Sequence, residues 1–309
     1  MSVLGWLGQP AVLPWVALAI GLCVGSFLNV VIHRLPRMME REWLGDVANV
    51  LEDSKELKDP QTGKHLAKQV RDQIAHFAKD PLSLAFPRSR CPHCNAQIPA
   101  IQNVPLLSWL ALRGKCASCG IGISGIYPVV ELLAGLGAAW SASHFGFALA
   151  ALGAAVFIWC TIALAFIDQR TGFLPDSITL PLLWFGIILN AGGTFVPLPE
   201  SVLGAVGGYL FLWLVFWGFK ILFRKEGMGY GDFKMNAAVG AFLGWKLLLM
   251  VILISSIAGT VFGIAQMLAA RRGWESWFKF HFGPYIAVAG VIALFWGKEI
   301  AARWPILLL

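Results

Sequence analysis

Charge is what this chain has least of. Its 309 residues include 17 Asp and Glu and 24 Lys and Arg, 13% in all, about half the share of a soluble domain. That shortage excludes an ordinary water-exposed globule. Several chemistries are missing too. There is no H-E-x-x-H pair to hold a catalytic metal, no phosphate-cradling P-loop, and no Ser/His or Cys/His nucleophile pattern. A cleavable signal peptide is not expected either. The first 12 residues carry no Lys or Arg, and the first apolar run lacks an obvious small-residue cleavage site. Its cationic flank, Arg34 and Arg37, comes after it, which predicts an anchored first span with the N-terminus outside.

What fills the chain instead is apolar. Hydrophobic residues make up 58%, and the mean hydropathy is +0.70. Several runs reach the roughly 20 residues that cross a bilayer. The expected fold is an all-α polytopic membrane protein. The runs predict spans near Ala11–Ile32, Tyr127–Ala142, Phe147–Ile167, Ser177–Gly193, Val202–Phe223 and Gly283–Trp296. The segment Phe233–Ala269 is too long for one crossing. Gly244-Trp245-Lys246 divides it into a short span ending near Leu243 and a longer one from Leu247, so the count becomes about eight. Arg170, Arg224, Lys225, Arg271, Arg272 and Lys279 then fall inside. The loops Ser143–Gly146 and Ala191–Ser201, free of Lys and Arg, fall outside, as the positive-inside rule requires. Lys246, Lys298 and Arg303 run against the rule.

The net charge is +7, and 13 of the 24 Lys and Arg lie between His33 and Ile126. Cations gathered beside spans explain the basic balance without nucleic acid. This polar stretch is too long for a linker. Glu42–Leu51 and Lys64–Lys79 read as short amphipathic helices, punctuated by Asp59-Pro60, Asp80-Pro81 and Phe86-Pro87. Three regions follow: a first span at 1–32, a cytoplasmic metal-binding domain at 33–126, and a seven-span membrane domain at 127–309.

Six cysteines are present. Cys23 and Cys160 lie inside spans and read as small buried hydrophobes. The others form CPHC and CASC: Cys91, Cys94, Cys116 and Cys119. Two C-x-x-C pairs with 21 residues between them fit a structural zinc site, because each turn presents two thiolates and a tetrahedral ion takes four. The topology puts them inside, where thiols stay reduced and disulfides are disfavoured. His93, between the first two ligands, has no coordination position left and reads as exposed. Such a closed site folds a polar domain with little core.

Two aspartates stand apart. Asp168 ends a long apolar run, and Asp232 follows Gly229 and Gly231 in the stretch GMGYGDFK, Gly227–Lys234. Both fall at the inner membrane surface, where ionisable groups are costly and mark function. Brought together, two carboxylates would share a proton, so one could activate water while the other protonates a carbonyl oxygen, the chemistry of aspartic proteases. Glycines lack a Cβ and let the backbone turn and neighbours approach. The bland readings are that Asp232 caps a helix starting at Phe233 and that Asp168 is an interfacial residue. Asp176, after Pro175, reads as a helix N-cap. Glu131 reads as a buried hydrogen-bonding group, and Lys234 as a cation that acts on Asp232 or snorkels to the surface.

At these residues the chain resembles the type IV prepilin peptidases. The stretches are GSFLNVVIHRLP (Gly25–Pro36), SRCPHC (Ser89–Cys94), LRGKCASCG (Leu112–Gly120), YPVVELL (Tyr127–Leu133), DQRTGFLPD (Asp168–Asp176) and GMGYGDFK. The resemblance implies a bifunctional enzyme of the bacterial inner membrane. It would cut the basic leader from prepilins and pseudopilins after a Gly, at the cytoplasmic face, then methylate the new N-terminus, usually a Phe, with S-adenosylmethionine. Carried onto this chain, Asp168 and Asp232 are the protease pair, the four cysteines bind zinc, and Gly114 of RGKC is a candidate for methyl transfer. The methyltransferase half rests on resemblance alone, since there is no glycine-rich strand-to-helix turn for S-adenosylmethionine. A basic leader would seek an acidic surface, yet His33–Ile126 holds nine Asp and Glu against 13 Lys and Arg. Anionic lipid, or acidic patches at Glu40–Glu42 and Glu52–Glu56, would supply the attraction. Met38–Phe86 lies outside these stretches and is read as an elaboration for handling substrate. Two other functions are open: a GxGD-type peptidase that does not methylate, and a transporter or scaffold using Asp168, Glu131 and Asp232 as ion sites.

Overall fold

The computed structural model describes residues 8–53, 60–77, 82–225, 228–269 and 281–304. Two compact units divide the chain: Met1–Gly25 with Val129–Leu309, and Ser26–Pro128. Among the described residues the regular elements are helical, and β-structure is limited to two isolated bridges. The fold is therefore all-α. Among the described residues, six helices are long and apolar enough to cross a membrane.

The first helix, α1, spans Leu13–Asp53. The expected break after Ile32 is absent. The segment Glu42–Leu51, expected as a separate helix, is the C-terminal part of α1, although Pro36 lies inside it and removes one backbone donor. In the unit Ser26–Pro128, α2 (Pro60–Phe77) runs beside α1. Ala48 and Ala67 are both fully buried, so small side chains let the helices close up. Arg71 ties them by donating to Asn49 Oδ1 at 3.0 Å and pairing with Glu52 at 2.6 Å. A short helix, α3 (Leu107–Ala111), lies between the two cysteine turns.

The membrane unit holds α4 (Ile126–Phe145), α5 (Leu149–Thr171), α6 (Asp176–Ala191), α7 (Leu198–Phe223), α8 (Tyr230–Leu243), α9 (Leu248–Ala269) and α10 (Gly283–Arg303). Its centre is α8, with 11 of its 14 residues buried. The hydrophobic effect does not drive helices together in lipid; close backbone packing and interhelical hydrogen bonds do. Both are present around α8. Gly204 of α7 and Gly240 of α8 cross so closely that a Cβ on either would strike the other's carbonyl. One turn on, Asn236 Nδ2 donates to Gly208 O at 2.9 Å. At the far end, Ser201 Oγ and Asn190 Nδ2 both donate to Ala241 O, at 2.5 and 2.8 Å. Large side chains at the periphery, such as Trp184, Ile188, Leu214, Ile221 and Leu222, stay exposed, as a lipid-facing surface requires.

The break in Phe233–Ala269 falls where the sequence places it. Gly244 ends α8 with φ +75°, and a single 3-10 turn at Trp245–Leu247 leads into α9. Lys246, against the positive-inside rule, pairs with Glu200 at 2.6 Å, which neutralises it. Cys160 packs partly buried against the core. Cys23, expected buried, is exposed; a thiol in lipid behaves as a small hydrophobe and needs no protein around it.

Candidate active site and metal centre

Asp168 lies in the last turn of α5. That helix stops three residues later because Gly172 takes φ +67°, its N–H closing on Asp168 O at 2.7 Å. The linker then carries Leu174 against the start of α8. A Cβ on Gly231 would sit 2.7 Å from Leu174 Cβ, so the second glycine of the G-x-G-D stretch is required by close approach. Gly229 is the N-cap of α8 and Asp232 its third helical residue. From that position a carboxylate can reach back toward the N-cap N–H, half of a capping box, and the Gly229 N–H lies within electrostatic reach of the Asp232 carboxylate. Capping and a reactive position are thus the same geometry.

The carboxylate of Asp168 finds its partner 115 residues away. The N–H of Gly283, at the first turn of α10, donates to Asp168 Oδ2 at 3.0 Å. Gly283 packs directly on that carboxylate: a Cβ there would lie 2.8 Å from Oδ2. Asp168 and Asp232 are 5% and 7% exposed and within electrostatic reach of each other. Each meets a helix N-terminus, Asp168 that of α10 through Gly283 N–H and Asp232 the first turn of its own α8, where the helix dipole favours negative charge. Two helix ends therefore offset the crowding of two acids. His281 also lies within electrostatic reach of Asp168. Gly283 and His281 were not singled out from sequence. Gly283-Pro284 is a helix-start signal, but nothing local says that it meets residue 168.

Asp176 is not the N-cap of α6. Pro175, extended at φ −64° and ψ 127°, holds that place, and Asp176 is the first helical residue. Its two oxygens accept from Lys234 Nζ at 2.8 and 2.7 Å. Lys234 thus pairs with Asp176, whose side chain is partly exposed, and ties α6 to α8. Glu131 is buried in α4, where Gly25 of α1 packs on its backbone.

In the unit Ser26–Pro128, the four cysteines form two matching turns, 25 positions apart from Cys91 to Cys116. In the first, Cys91 N–H donates to Ala96 O and Asn95 N–H to Cys91 O, both at 2.9 Å. In the second, Cys116 N–H donates to Ile121 O at 2.8 Å and Gly120 N–H to Cys116 O at 2.9 Å. Asn95 and Gly120, each following the second cysteine, take positive φ. One bridge closes each turn, Arg90 with Gln97 and Lys115 with Gly122. All four Sγ atoms lie within 4.8 Å of one another. The Cys91–Cys119 separation is 3.8 Å, the edge of a tetrahedron with ~2.3 Å metal–sulfur bonds.

The electrostatics of the cluster call for a cation. N–H groups of Cys94 and then His93 lower the Cys91 thiol to about 6. The Cys116 thiol is lowered by the N–H groups of Cys119 and Ser118. The Ile121 N–H favours the Cys119 thiolate, but desolvation and the sulfurs of Cys94, Cys116 and Cys91 outweigh it and push Cys119 up to about 12. Clustered thiolates oppose the last ionisation, and a bound dication removes that opposition. The donor set fits a metal ion. His93 is exposed and stands outside the set. Gly114 has φ +66°, and a Cβ there would meet Trp109 Cζ2 at 2.9 Å, so glycine is required for local packing.

Buried paired carboxylates at glycine-framed helix ends, inside a bundle of membrane helices, are the layout of a membrane-embedded aspartyl peptidase. Comparison with known proteins is specific. Residues 19–145 match the Bacterial Peptidase A24 N-terminal domain, and residues 155–264 match the Type IV leader peptidase family. A protein of Stutzerimonas stutzeri is 46% identical over 93% of this chain and 92% of its own length. One of Aeromonas hydrophila is 45% identical over 94% of each chain, and one of Pseudomonas aeruginosa 42% identical over 98% of each. All three bear the name prepilin leader peptidase/N-methyltransferase. No solved structure gives a significant match. The chain belongs to the type IV leader peptidase family and is a multi-pass membrane protein.

Proposed function

We propose that this chain is an inner-membrane enzyme with two activities. It removes the basic leader of type IV prepilins and pseudopilins after a Gly at the cytoplasmic face. It then methylates the new N-terminal amine, usually that of a Phe. The observation that carries the peptidase is the aspartate pair: both carboxylates buried, mutually in reach, and each set at a helix N-terminus, where Gly283 N–H donates to Asp168 and Asp232 lies in the first turn of α8. The names of the relatives support both activities.

Asp168 and Asp232 hold one proton between them. The ionised member takes a proton from water as the water oxygen attacks the scissile carbonyl carbon. The protonated member gives its proton to the carbonyl oxygen. Collapse of the tetrahedral intermediate breaks the C–N bond, and a proton passes to the leaving amine. That amine is the nucleophile of the second reaction. S-adenosylmethionine, when bound, would supply a methyl group on a positively charged sulfur, which that amine would take up as the C–S bonding pair stays on sulfur and the amine sheds a proton.

Zinc is the metal that four thiolates in tetrahedral array prefer. Cys91, Cys94, Cys116 and Cys119 would hold it, and it would clamp the two turns together with no part in the peptidase step. Gly114 contributes to methyl transfer by keeping the second turn and Trp109 in place. Eight crossings count α6 and α8 with the six long helices. The N-terminus is then outside, 1–32 the first span, 33–126 cytoplasmic, and 127–309 the membrane domain. The partners are prepilin substrates and membrane lipid, with no nucleic acid.

The test is cleavage of a prepilin by the purified enzyme in liposomes, read by mass spectrometry. Asp168→Asn and Asp232→Asn each abolish leader removal while the protein still inserts. Cleavage that survives either change removes the pair from the mechanism. A wild-type product without the added methyl leaves a peptidase alone, and an uncut leader leaves a transporter or scaffold.

A further inference from the structure

The unit Ser26–Pro128 contains a cleft of about 240 Å³ beside the first cysteine turn. Val30, Leu84 and Ile98 form apolar walls, and Arg34, Arg88 and Ser89 supply polar groups. Arg34 is half-buried, and its guanidinium donates to two neutral acceptors, Ser83 O at 2.9 Å and Pro87 O at 2.6 Å. Arg88 is exposed. Among the described residues no carboxylate pairs with either arginine. Two uncompensated guanidiniums on one small cleft make an anion site, and the planar fork of Arg suits a carboxylate or phosphate. Ser89 O accepts from Ile98 N–H at 2.9 Å, a bond across the base of the Cys91–Cys94 turn. The cleft wall is thus part of the structure that the cysteines hold.

We propose that this cleft binds the methyl donor, with Arg34 and Arg88 on its carboxylate and Val30, Leu84 and Ile98 against its apolar parts. The inference rests on the methyltransferase reading above and places that activity's ligand. Arg34 also anchors the backbone at Ser83 and Pro87, so it sets the shape of the cleft. Arg88 has no such structural duty and acts through its charge. Gly114 is not among the cleft residues. Its counterpart in the first turn is Ser89, since Ile123 N–H bonds Gly114 O as Ile98 N–H bonds Ser89 O.

The other source of a matching anion is a phospholipid headgroup, and the experiment separates the two. Binding of labelled S-adenosylmethionine and of S-adenosylhomocysteine is measured by equilibrium dialysis with the full chain in nanodiscs. One set of discs is zwitterionic and the other contains phosphatidylglycerol. The expected result is a loss of at least about tenfold in donor affinity for Arg88→Glu, a smaller loss for Arg88→Ala, and a measurable loss for Arg34→Lys, which keeps charge but not the fork. Bound metal per chain stays equal to wild type in each Arg88 variant, which reports an intact fold. Lys68→Glu, an equal charge reversal on exposed α2, leaves affinity unchanged. Wild-type affinity in both Arg88 variants overturns the proposal. So does a loss confined to phosphatidylglycerol binding, which makes the cleft a lipid site. A wild-type chain that binds no donor at all refutes the methyltransferase reading itself.

Discussion

The two units solve the problem of holding reactive groups in opposite ways. The membrane unit places two acids by packing: glycines bring backbones together, and Asn190, Ser201 and Asn236 tie α8 into its neighbours. The unit Ser26–Pro128 has little apolar interior, since α3 buries no residue and the cysteine turns are mostly exposed. Four sulfurs do there what packing does elsewhere. Lipid removes the hydrophobic drive between helices but rewards close contact and satisfied polar groups. Water beside a small polar fold rewards a metal cross-link. The two proposed activities should therefore be separable, because different forces hold the groups proposed to perform them.

The sharpest way to break that comparison is to remove the metal. Replacing Cys116 and Cys119 together by Ser is expected to abolish methyl transfer and metal binding while prepilin cleavage stays within about threefold, measured on one substrate by mass spectrometry. Equal loss of both activities would join the units. Next in size is Gly283→Ala. The added methyl would press on Asp168 Oδ2, at 2.8 Å, and displace it, lowering cleavage by about 10- to 100-fold with methylation of a pre-cut peptide unchanged. Gly240→Ala attacks the packing itself. Overpacking the crossing with Gly204 is expected to cost about 1–3 kcal/mol, seen as a lower melting temperature in detergent with the metal still bound. The smallest effect is at Glu200→Gln. Its pair with Lys246 is half in solvent, and its loss should cost less than about 1 kcal/mol in the same melt.

Much of this arrangement was legible in local pattern. Apolar runs placed the helices, Gly244-Trp245-Lys246 marked a break, and C-x-x-C spacing marked the cluster, because each signal lies within a few residues. What was not legible depends on residues far apart in sequence. Nothing near Asp168 announces Gly283, and nothing near Asp176 announces Lys234. The apolar run ends near Ile32, yet α1 continues through Pro36 to Asp53, since a single lost donor does not outweigh a continuous helix. Gly204 and Gly240 are unremarkable in two apolar runs until their backbones meet. Asp176 was read one position off because Pro175 already has the extended geometry of a cap.

The most direct measurement gives one enzyme two substrates. Asp232→Asn in liposomes is supplied with an intact prepilin and, separately, with a pre-cut peptide bearing a free N-terminal Phe. The expected result is no leader removal and methylation of the peptide at a rate within about twofold of wild type. Leader removal by that variant, or loss of both reactions together, would contradict a peptidase built on Asp168 and Asp232 and independent of the cysteine unit.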